Sequence, residues 1–390
     1  MIKVLQISNY QYPHIGGIEQ VARDIADSLI NRDDIEQKII CFNEEAEDGE
    51  YVCHRNETVC ENVKGVEVIR CGCITKVASQ SLSFTFGKEL KKVLTEFAPD
   101  IVIFHYPNPY QAAFLLPLLK ERTRLILYWH LDIIKQKILG KIFHGQTIKL
   151  LQRADKIVAT SPNYIDGSKY LSQFRDKCMV IPNCIQPERL LPDEYTVEKV
   201  KKIKEQYSGK TICFAVGRHV PYKGMEYLIR ASKLLGDNFA ILIGGKGPLT
   251  EELKKLAASD KKVEFLGRVS DSDLIAYYEA CDIFAFPSIT KNEAFGIALA
   301  EGMYFARPAV TFTIPGSGVN YVNLADETGL ECPNGDEKAY AKALVKLDED
   351  DELRKKLGES ARKRVEELFM FDQLKAKINE LIDSESIKRR

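Results

Sequence analysis

Residues 211–249 read TICFAVGRHVPYKGMEYLIRASKLLGDNFAILIGGKGPL. The apolar run Thr211–Val216 has the length and composition of a strand buried on both faces, and it stops at Gly217-Arg218. Lys223-Gly224 then precede an amphipathic stretch, Met225–Leu234. A second apolar run, Phe239–Ile243, ends in Gly244-Gly245-Lys246-Gly247-Pro248. A strand, a helix and a strand in that order, each bounded by turn residues, predict a parallel βαβ unit.

The same alternation continues outward in both directions. Toward the C-terminus, strands are expected at Val263–Leu266, Ile283–Phe286, Ala309–Phe312 and Gly329–Glu331, with helices at Leu249–Ala258, Asp271–Glu279 and Ala294–Met303. Toward the N-terminus, strands are expected at Lys3–Ser8, Gln37–Cys41, Val66–Arg70, Ile101–His105, Leu125–Trp129, Lys156–Thr160 and Met179–Ile181. Helices there include Ile18–Ile30 and Phe86–Phe97. Pro182-Asn183 opens a polar stretch with prolines at 187 and 192, which reads as a hinge. The chain is therefore expected to be α/β, with two doubly wound domains joined near residue 185.

Composition bounds the partners. The chain has 390 residues, 45% of them apolar and 28% charged, and its net charge of −1 gives no general attraction to nucleic acid or to an anionic surface. MIKVLQISNY reads as a first strand rather than a secretion signal, and no apolar stretch has the length of a spanning helix. A cytoplasmic protein is expected, with a peripheral place on the inner face of the cell membrane left open. Most of the ten cysteines read as reduced thiols. Cys53, Cys60, Cys71 and Cys73 form a group that could be free thiols or hold zinc, although the tight C-x-x-C spacing is missing.

Chemistry concentrates where strands end. Gly16-Gly17 precede a helix, an arrangement that lets backbone amides approach a phosphate or simply makes a turn. The dinucleotide fingerprint G-x-G-x-x-G is absent, which argues against a dehydrogenase. Arg218 and Lys223 follow a parallel strand, where α/β folds bind ligands, and two such cations suit a pyrophosphate or are solvated charges. In PSITKNEAFGIALAEGM (287–303), Glu293 is expected just before a helix whose first turn is Ala294–Ile297. Glu301, about two turns on, would then fall near the same face. Such carboxylates can accept from sugar hydroxyls while first-turn amides reach a phosphate, or they can merely complement the helix dipole.

Each of these elements alone is common. In the order G-G-I-E, G-R-x-x-x-x-K-G, G-G-x-G-P-L, F-x-G-R-V and E-A-F-G followed by a second glutamate, the chain resembles the retaining glycosyltransferases of family 4, over nearly its whole length. The resemblance implies the GT-B fold, two Rossmann-like doubly wound domains facing a central cleft. It places the acceptor side in 1–185, the nucleotide-sugar domain in 186–365, and a C-terminal helix crossing back in 366–390. It implies a hexosyltransferase in which Arg218 and Lys223 bind the donor diphosphate, Glu293 faces the transferred sugar and Glu301 the ribose. Phe295, Gly296 and Ile297 would offer amides to sugar and phosphate, Val269 would lie at the base, and Gly16 and Gly17 would close over the phosphates. His130 matches the family histidine that contacts the sugar. Attack would come from the same face as departure, without metal or cofactor.

Two positions depart from the family pattern: Cys184 stands where glycine is usual at the domain junction, and Lys246 where an acidic residue is common. The acceptor implied by similarity to bacterial enzymes that extend lipid-linked repeats is a lipid-carried oligosaccharide, with His105 and Asn108 bordering its pocket. In Ile133–Arg153, lysines 135, 137, 141 and 149 interleave with apolar residues, which suits either an anionic membrane surface or a core-facing amphipathic helix. Asp271 either accepts from a guanine, as in GDP-mannose, or caps the helix Ser272–Glu279, and UDP-sugars stay open. An epimerase, a phosphorylase of the same fold and a non-catalytic nucleotide-sugar-binding subunit remain alternatives.

Overall fold

A computed structural model of the chain describes residues 1–12, 16–43, 54–77, 80–133 and 137–387, with the helical backbone alone for 137–142. Cys53, Lys135 and the side chains of Lys137 and Lys141 lie outside the described residues. The chain forms two compact units. One comprises Met1–Thr160, Ser168–Asn183 and Phe371–Arg390; the other comprises Ser161–Gly167 and Cys184–Met370.

The first unit holds strands β1 (Ile2–Ile7), β2 (Ile35–Asn43), β3 (Val59–Val63), β4 (Val66–Gly72), β5 (Thr75–Val77), β6 (Gln80–Leu82), β7 (Ile101–Tyr106), β8 (Arg124–Trp129), β9 (Lys156–Ala159) and β10 (Cys178–Val180). Eight of them form one sheet in the order β10-β9-β8-β7-β1-β2-β4-β3. Its strands pair in parallel except β3, which runs antiparallel to β4. The expected strands recur as β1, β2, β4 and β7–β10. Strand β7 is buried along its whole length, as an unbroken apolar run between helical layers should be.

Strand β3 and the β5–β6 hairpin were not expected. VCENV has no apolar alternation strong enough to declare a strand; its pairing with β4 is set by a two-residue turn. Lys64 and Gly65 both take positive φ there, and the Gly65 amide donates to Asn62 Oδ1 at 2.8 Å. Cys60 is exposed on β3, whereas Cys71 and Cys73 are buried. Among the described residues, no group of three His, Cys, Asp or Glu could hold a metal ion. In the helix Lys137–Arg153, Thr147, Leu150 and Leu151 are buried while Lys149 is exposed, so its C-terminal half lays an apolar stripe on the core. Among the described residues no helix is long and apolar enough to cross a membrane.

The last helix, Phe371–Ile387, packs within the first unit against the helix Gly17–Leu29. Leu374, Ile378, Leu381 and Ile382 are buried beneath it, and Arg32 reaches Asp383 at 2.8 Å and Asn379 at 2.9 Å.

The second unit contains β11 (Thr211–Val216), β12 (Phe239–Gly244), β13 (Val263–Gly267), β14 (Ile283–Phe286), β15 (Ala309–Phe312) and β16 (Gly329–Cys332). All pair in parallel, in the order β13-β12-β11-β14-β15-β16. The order reverses between β11 and β14, and such a switch point leaves a crevice beyond the carboxyl ends of the strands. One helix differs from expectation: it spans Ile297–Tyr304, not Ala294–Met303. Gly296 caps it at φ +87, a left-handed conformation that breaks the helix before residues 294–296 can join it. Glu293 is therefore off the helix, and it does not share a helix face with Glu301.

Truncating Ile378 to alanine should destabilise the first unit by about 2–5 kcal/mol, as for other buried Ile→Ala changes. Urea unfolding checks this, and an unchanged midpoint would mean that the last helix contributes nothing to that core.

Candidate active site

In the second unit, two loops meet at the switch point. Strand β11 leads through Gly217, Arg218 and a tight turn, Pro221–Lys223, into the helix Met225–Ser232. Strand β14 leads through Pro287 and Ser288 to a turn in which the Glu293 amide donates to the Thr290 carbonyl at 3.0 Å. The turns bring Lys223 Nζ to within 2.5 Å of Glu293 Oε2, and Ser288 Oγ donates to the same oxygen at 3.0 Å. Lys223 Nζ also lies 5.1 Å from the Phe286 ring centre and 5.7 Å from that of Tyr222. Burial acts to lower the Lys223 pKa, but the charge of Glu293, together with Tyr222, outweighs it and raises the value. Lys223 is thus held as a cation. Sequence reasoning placed both residues toward bound ligand; the structure also pairs them with each other.

The Glu293 carbonyl accepts from Ser317 Oγ at 2.5 Å, which anchors the turn from the other side. After Phe295 and Gly296 the helix begins at Ile297, and among the described residues nothing accepts from the amides of Ile297 and Ala298. Those two donors at the positive end of a helix suit an anionic oxygen. A Cβ added at Gly296 would meet the Phe286 ring at 3.0 Å and Leu299 at 3.2 Å, so no other residue fits the bend without displacement.

Glu301 is half-buried and accepts from the Tyr278 hydroxyl at 2.9 Å. Tyr278 is held among Phe214, Phe284 and Phe305, with ring centres 5.4–5.7 Å away, which fixes where its hydroxyl points. Burial and the nearby Glu301 charge push the Tyr278 pKa well up, so it stays a donor. Val269 lies against Gly244 at the end of β12. Arg218 is exposed on its loop. Asp271 does not cap its helix: Ser270 does, its Oγ accepting from the Asp273 amide at 3.2 Å, and Asp271 is the first helical residue.

In the first unit, β1 and β7 flank the other switch point. His105, in β7, sends Nδ1 to within 2.9 Å of His130 Nε2 and Nε2 to within 3.1 Å of Gln6 Oε1, in β1. The two imidazoles are nearly parallel, 5.2 Å apart, and the Tyr128 ring stacks 5.6 Å from His105 and 5.2 Å from His130. Burial lowers the His105 pKa to about 3 and, with His105 adding to the effect, holds His130 well below the usual imidazole range. Both rings are neutral at physiological pH. Asn108 is buried, and both ends of its amide are engaged: Oδ1 accepts from the Gln111 amide at 2.9 Å to cap a helix, and Nδ2 donates to Asn9.

Gly16 precedes the helix Gly17–Leu29 in extended backbone, and the Glu19 carboxylate folds back over it. Burial pushes the Glu19 carboxyl up to about 7, against a backbone hydrogen bond and the Lys76 charge, which lower it. Gln6, Glu19, Tyr278, Ser288 and Ser317 were not singled out from sequence. Gln6 had a signal, a polar residue inside an apolar strand. Tyr278, by contrast, is indistinguishable from any core aromatic until the helix carrying Glu301 is laid beside it.

The raised Glu19 pKa means that, between about pH 4.5 and 7, the folded chain keeps a proton that the unfolded chain has released. This residue's contribution to stability therefore falls as pH rises through that window. Glu19→Gln should melt with the wild type at pH 4 and above it at pH 8. A difference in melting temperature that does not change with pH would contradict the assignment.

Comparison with known proteins identifies the family and the fold. Residues 196–364 match the family described as Glycosyl transferases group 1, and residues 15–189 match Glycosyltransferase Family 4. The chain is 30% identical over 376 residues to the O-antigen chain mannosyltransferase C of Escherichia coli, covering 96% of each. It is 33% identical over 298 residues to the D-rhamnosyltransferase WbpZ of Pseudomonas aeruginosa, covering 75% of each. Among solved structures, sucrose-phosphate synthase from Thermosynechococcus elongatus superposes with a TM-score of 0.79 at 17% identity, over 98% of this chain and 99% of that one. HepE of Anabaena, in complex with UDP and glucose, superposes with a TM-score of 0.76 at 17% identity, over 98% of this chain and 100% of that one. Two α/β units with this strand order, and sequence matches across both, lead to one conclusion: the chain is a glycosyltransferase of family 4, with the GT-B fold.

Proposed function

We propose that the chain transfers a mannose-type hexose from a GDP-linked donor to a lipid-carried oligosaccharide, with retention of anomeric configuration. The observation that carries this reading is the Lys223–Glu293 pair at the β11/β14 switch point, beside the open amides of Ile297 and Ala298. The hexose class follows the names of the relatives, an O-antigen chain mannosyltransferase and a D-rhamnosyltransferase, and the lipid-carried acceptor follows the similarity to bacterial enzymes that extend lipid-linked repeats.

In this reading the second unit carries the donor. Lys223, Arg218 and the helix amides take up the charge that builds on the departing diphosphate, a preorganised electrostatic stabilisation that needs no metal. Glu293, oriented by Ser288, faces the sugar as positive charge develops on its ring. Glu301, oriented by Tyr278, accepts from the ribose hydroxyls, and Val269, Phe295 and Gly296 line the donor. The first unit supplies His130 to the sugar, with Gly16 and Gly17 at the phosphates and His105 and Asn108 behind the acceptor. The acceptor oxygen bonds to the anomeric carbon on the face that the diphosphate leaves, and its proton passes to the leaving phosphate oxygen.

Removing one member of a buried ion pair leaves the other charge uncompensated, so simple truncations would mix stability with catalysis. Glu293→Gln keeps the shape, although the Lys223 charge is still left uncompensated, whereas Arg218→Ala removes an exposed cation outside that pair. Each should raise the barrier to transfer by about 3–4 kcal/mol, a hundredfold or more in rate. Both are measured on protein whose melting is confirmed. Wild-type turnover in both would remove the site assignment. Proton NMR of the product should show the donor's anomeric configuration, and transfer should persist in excess chelator; an inverted product excludes retention. UDP-glucose and UDP-galactose assayed beside GDP-mannose test the choice of base.

The acceptor reading extends to the membrane. Reversing Lys135, Lys137 and Lys141 to glutamate should release the chain from anionic vesicles, at on the order of 1 kcal/mol per lysine. A wild-type chain that does not co-sediment with such vesicles at low salt would leave the helix 137–153 as a solvated face only.

A further inference from the structure

We propose that Gln6 and His105 act as positioning residues that fix the tautomer of His130, so that it presents the lone pair of Nδ1 to a substrate hydroxyl and is unable to donate to the diphosphate. The proposal rests on the reading above in that it takes His130 to meet the sugar.

The argument runs along one chain of hydrogen bonds. Gln6 Oε1 can only accept, so His105 Nε2, 3.1 Å away, carries the proton. A neutral imidazole has one N–H and one lone pair, so His105 Nδ1 is then an acceptor. His130 Nε2, 2.9 Å from it, must therefore donate, and the remaining lone pair of His130 falls on Nδ1. The neutrality that this logic requires follows from burial. Gln6 is fully buried, His105 and His130 are 1% and 5% exposed, and burial lowers both histidine pKa values. The two imidazoles meet edge to edge through their hydrogen bond, with the Tyr128 ring 5.6 Å from His105 and 5.2 Å from His130, so turning either imidazole over disturbs its bond to the other.

The position of Gln6 gives the relay a reason. It is a polar residue in a strand paired on both sides, Gln6 with Ile39 of β2 and with Ile103 of β7. A buried amide there is costly unless it is bonded, and its Nε2 has no partner among the described residues. An apolar residue would pack this strand without that cost. What the glutamine supplies is a directed acceptor for His105. The consequence for recognition is a division between hydroxyl and anion contacts. A lone pair on His130 repels anionic phosphate oxygens and accepts from O–H groups. His130 thus selects a sugar hydroxyl, and the anion is left to Lys223, Arg218 and the helix amides.

Nitrogen-15 NMR of the histidine-labelled, ligand-free chain reads the tautomer directly, with the two rings assigned by comparing spectra of His105→Gln and His130→Gln. The expected result is a protonated Nε2 and an unprotonated Nδ1 on both rings at neutral pH. Gln6→Met keeps the size and removes the acceptor. It should turn the His130 signal into a mixture of tautomers and lower kcat/KM for the donor tenfold or more, with melting close to wild type. A proton on His130 Nδ1 in the wild type, the pattern expected if the Gln6 amide is turned around, would overturn the relay. The expected tautomers in the wild type, together with undiminished transfer by His130→Leu, would show that the relay exists but His130 does not meet the sugar. That outcome overturns the proposal through its functional premise.

Discussion

A parallel strand covered by helices on both faces has no side on which a polar side chain can meet water. Polar chemistry in such a sheet is confined to the loops beyond the strand ends, or it must be bonded internally. Both units obey this constraint, and the places of their polar groups follow from it. In the second unit the strands β11 and β14 are apolar up to Val216 and Phe286, and Lys223, Ser288 and Glu293 all come from the loops that follow. In the first unit His130 directly follows β8. His105 and Gln6 lie inside strands, and each is bonded to the next.

The two units manage charge in opposite ways. The second keeps full charges under partial cover: Lys223 and Glu293 offset each other, Ser288 adds a hydrogen bond, and two aromatic faces lie near the ammonium. Desolvating such a pair costs about as much as its attraction returns, so it is a poor device for stability alone. Its value lies in holding a cation and a carboxylate in defined places before any ligand arrives. The first unit removes charge altogether. Its two histidines are buried, hydrogen-bonded to each other and neutral, and they offer direction instead of charge.

Small backbone facts decide how the parts line up. Gly296, in the left-handed region, closes the bend after Glu293 and starts the helix at Ile297. Had the helix begun at Ala294, the two glutamates would have shared a face. Instead each is held by its own partner, Ser288 for Glu293 and Tyr278 for Glu301. The bend also leaves two amides at the helix start without an intramolecular acceptor among the described residues.

Much of this was legible in the chain itself. Apolar runs of strand length, alternating with helical stretches, determined two doubly wound units. The order of the glycine, arginine, lysine and glutamate motifs pointed to the family. These are local properties, written in periods of two and 3.6 residues and in turn residues at strand ends. Strand β3 and the left-handed Gly296 were missed even so, because a short edge strand and a single backbone dihedral leave no periodic trace. Partnership was decided only by the tertiary structure. Lys223 meets Glu293 seventy residues away, and Gln6 meets His105 across 99 residues. Which residues meet is set by the order of strands in the sheet, and that order reverses at each switch point where these groups lie. The sequence determined which side chains would stand at the strand ends; only the folded sheets decided which of them share a proton or a charge, because that depends on neighbours in space rather than along the chain.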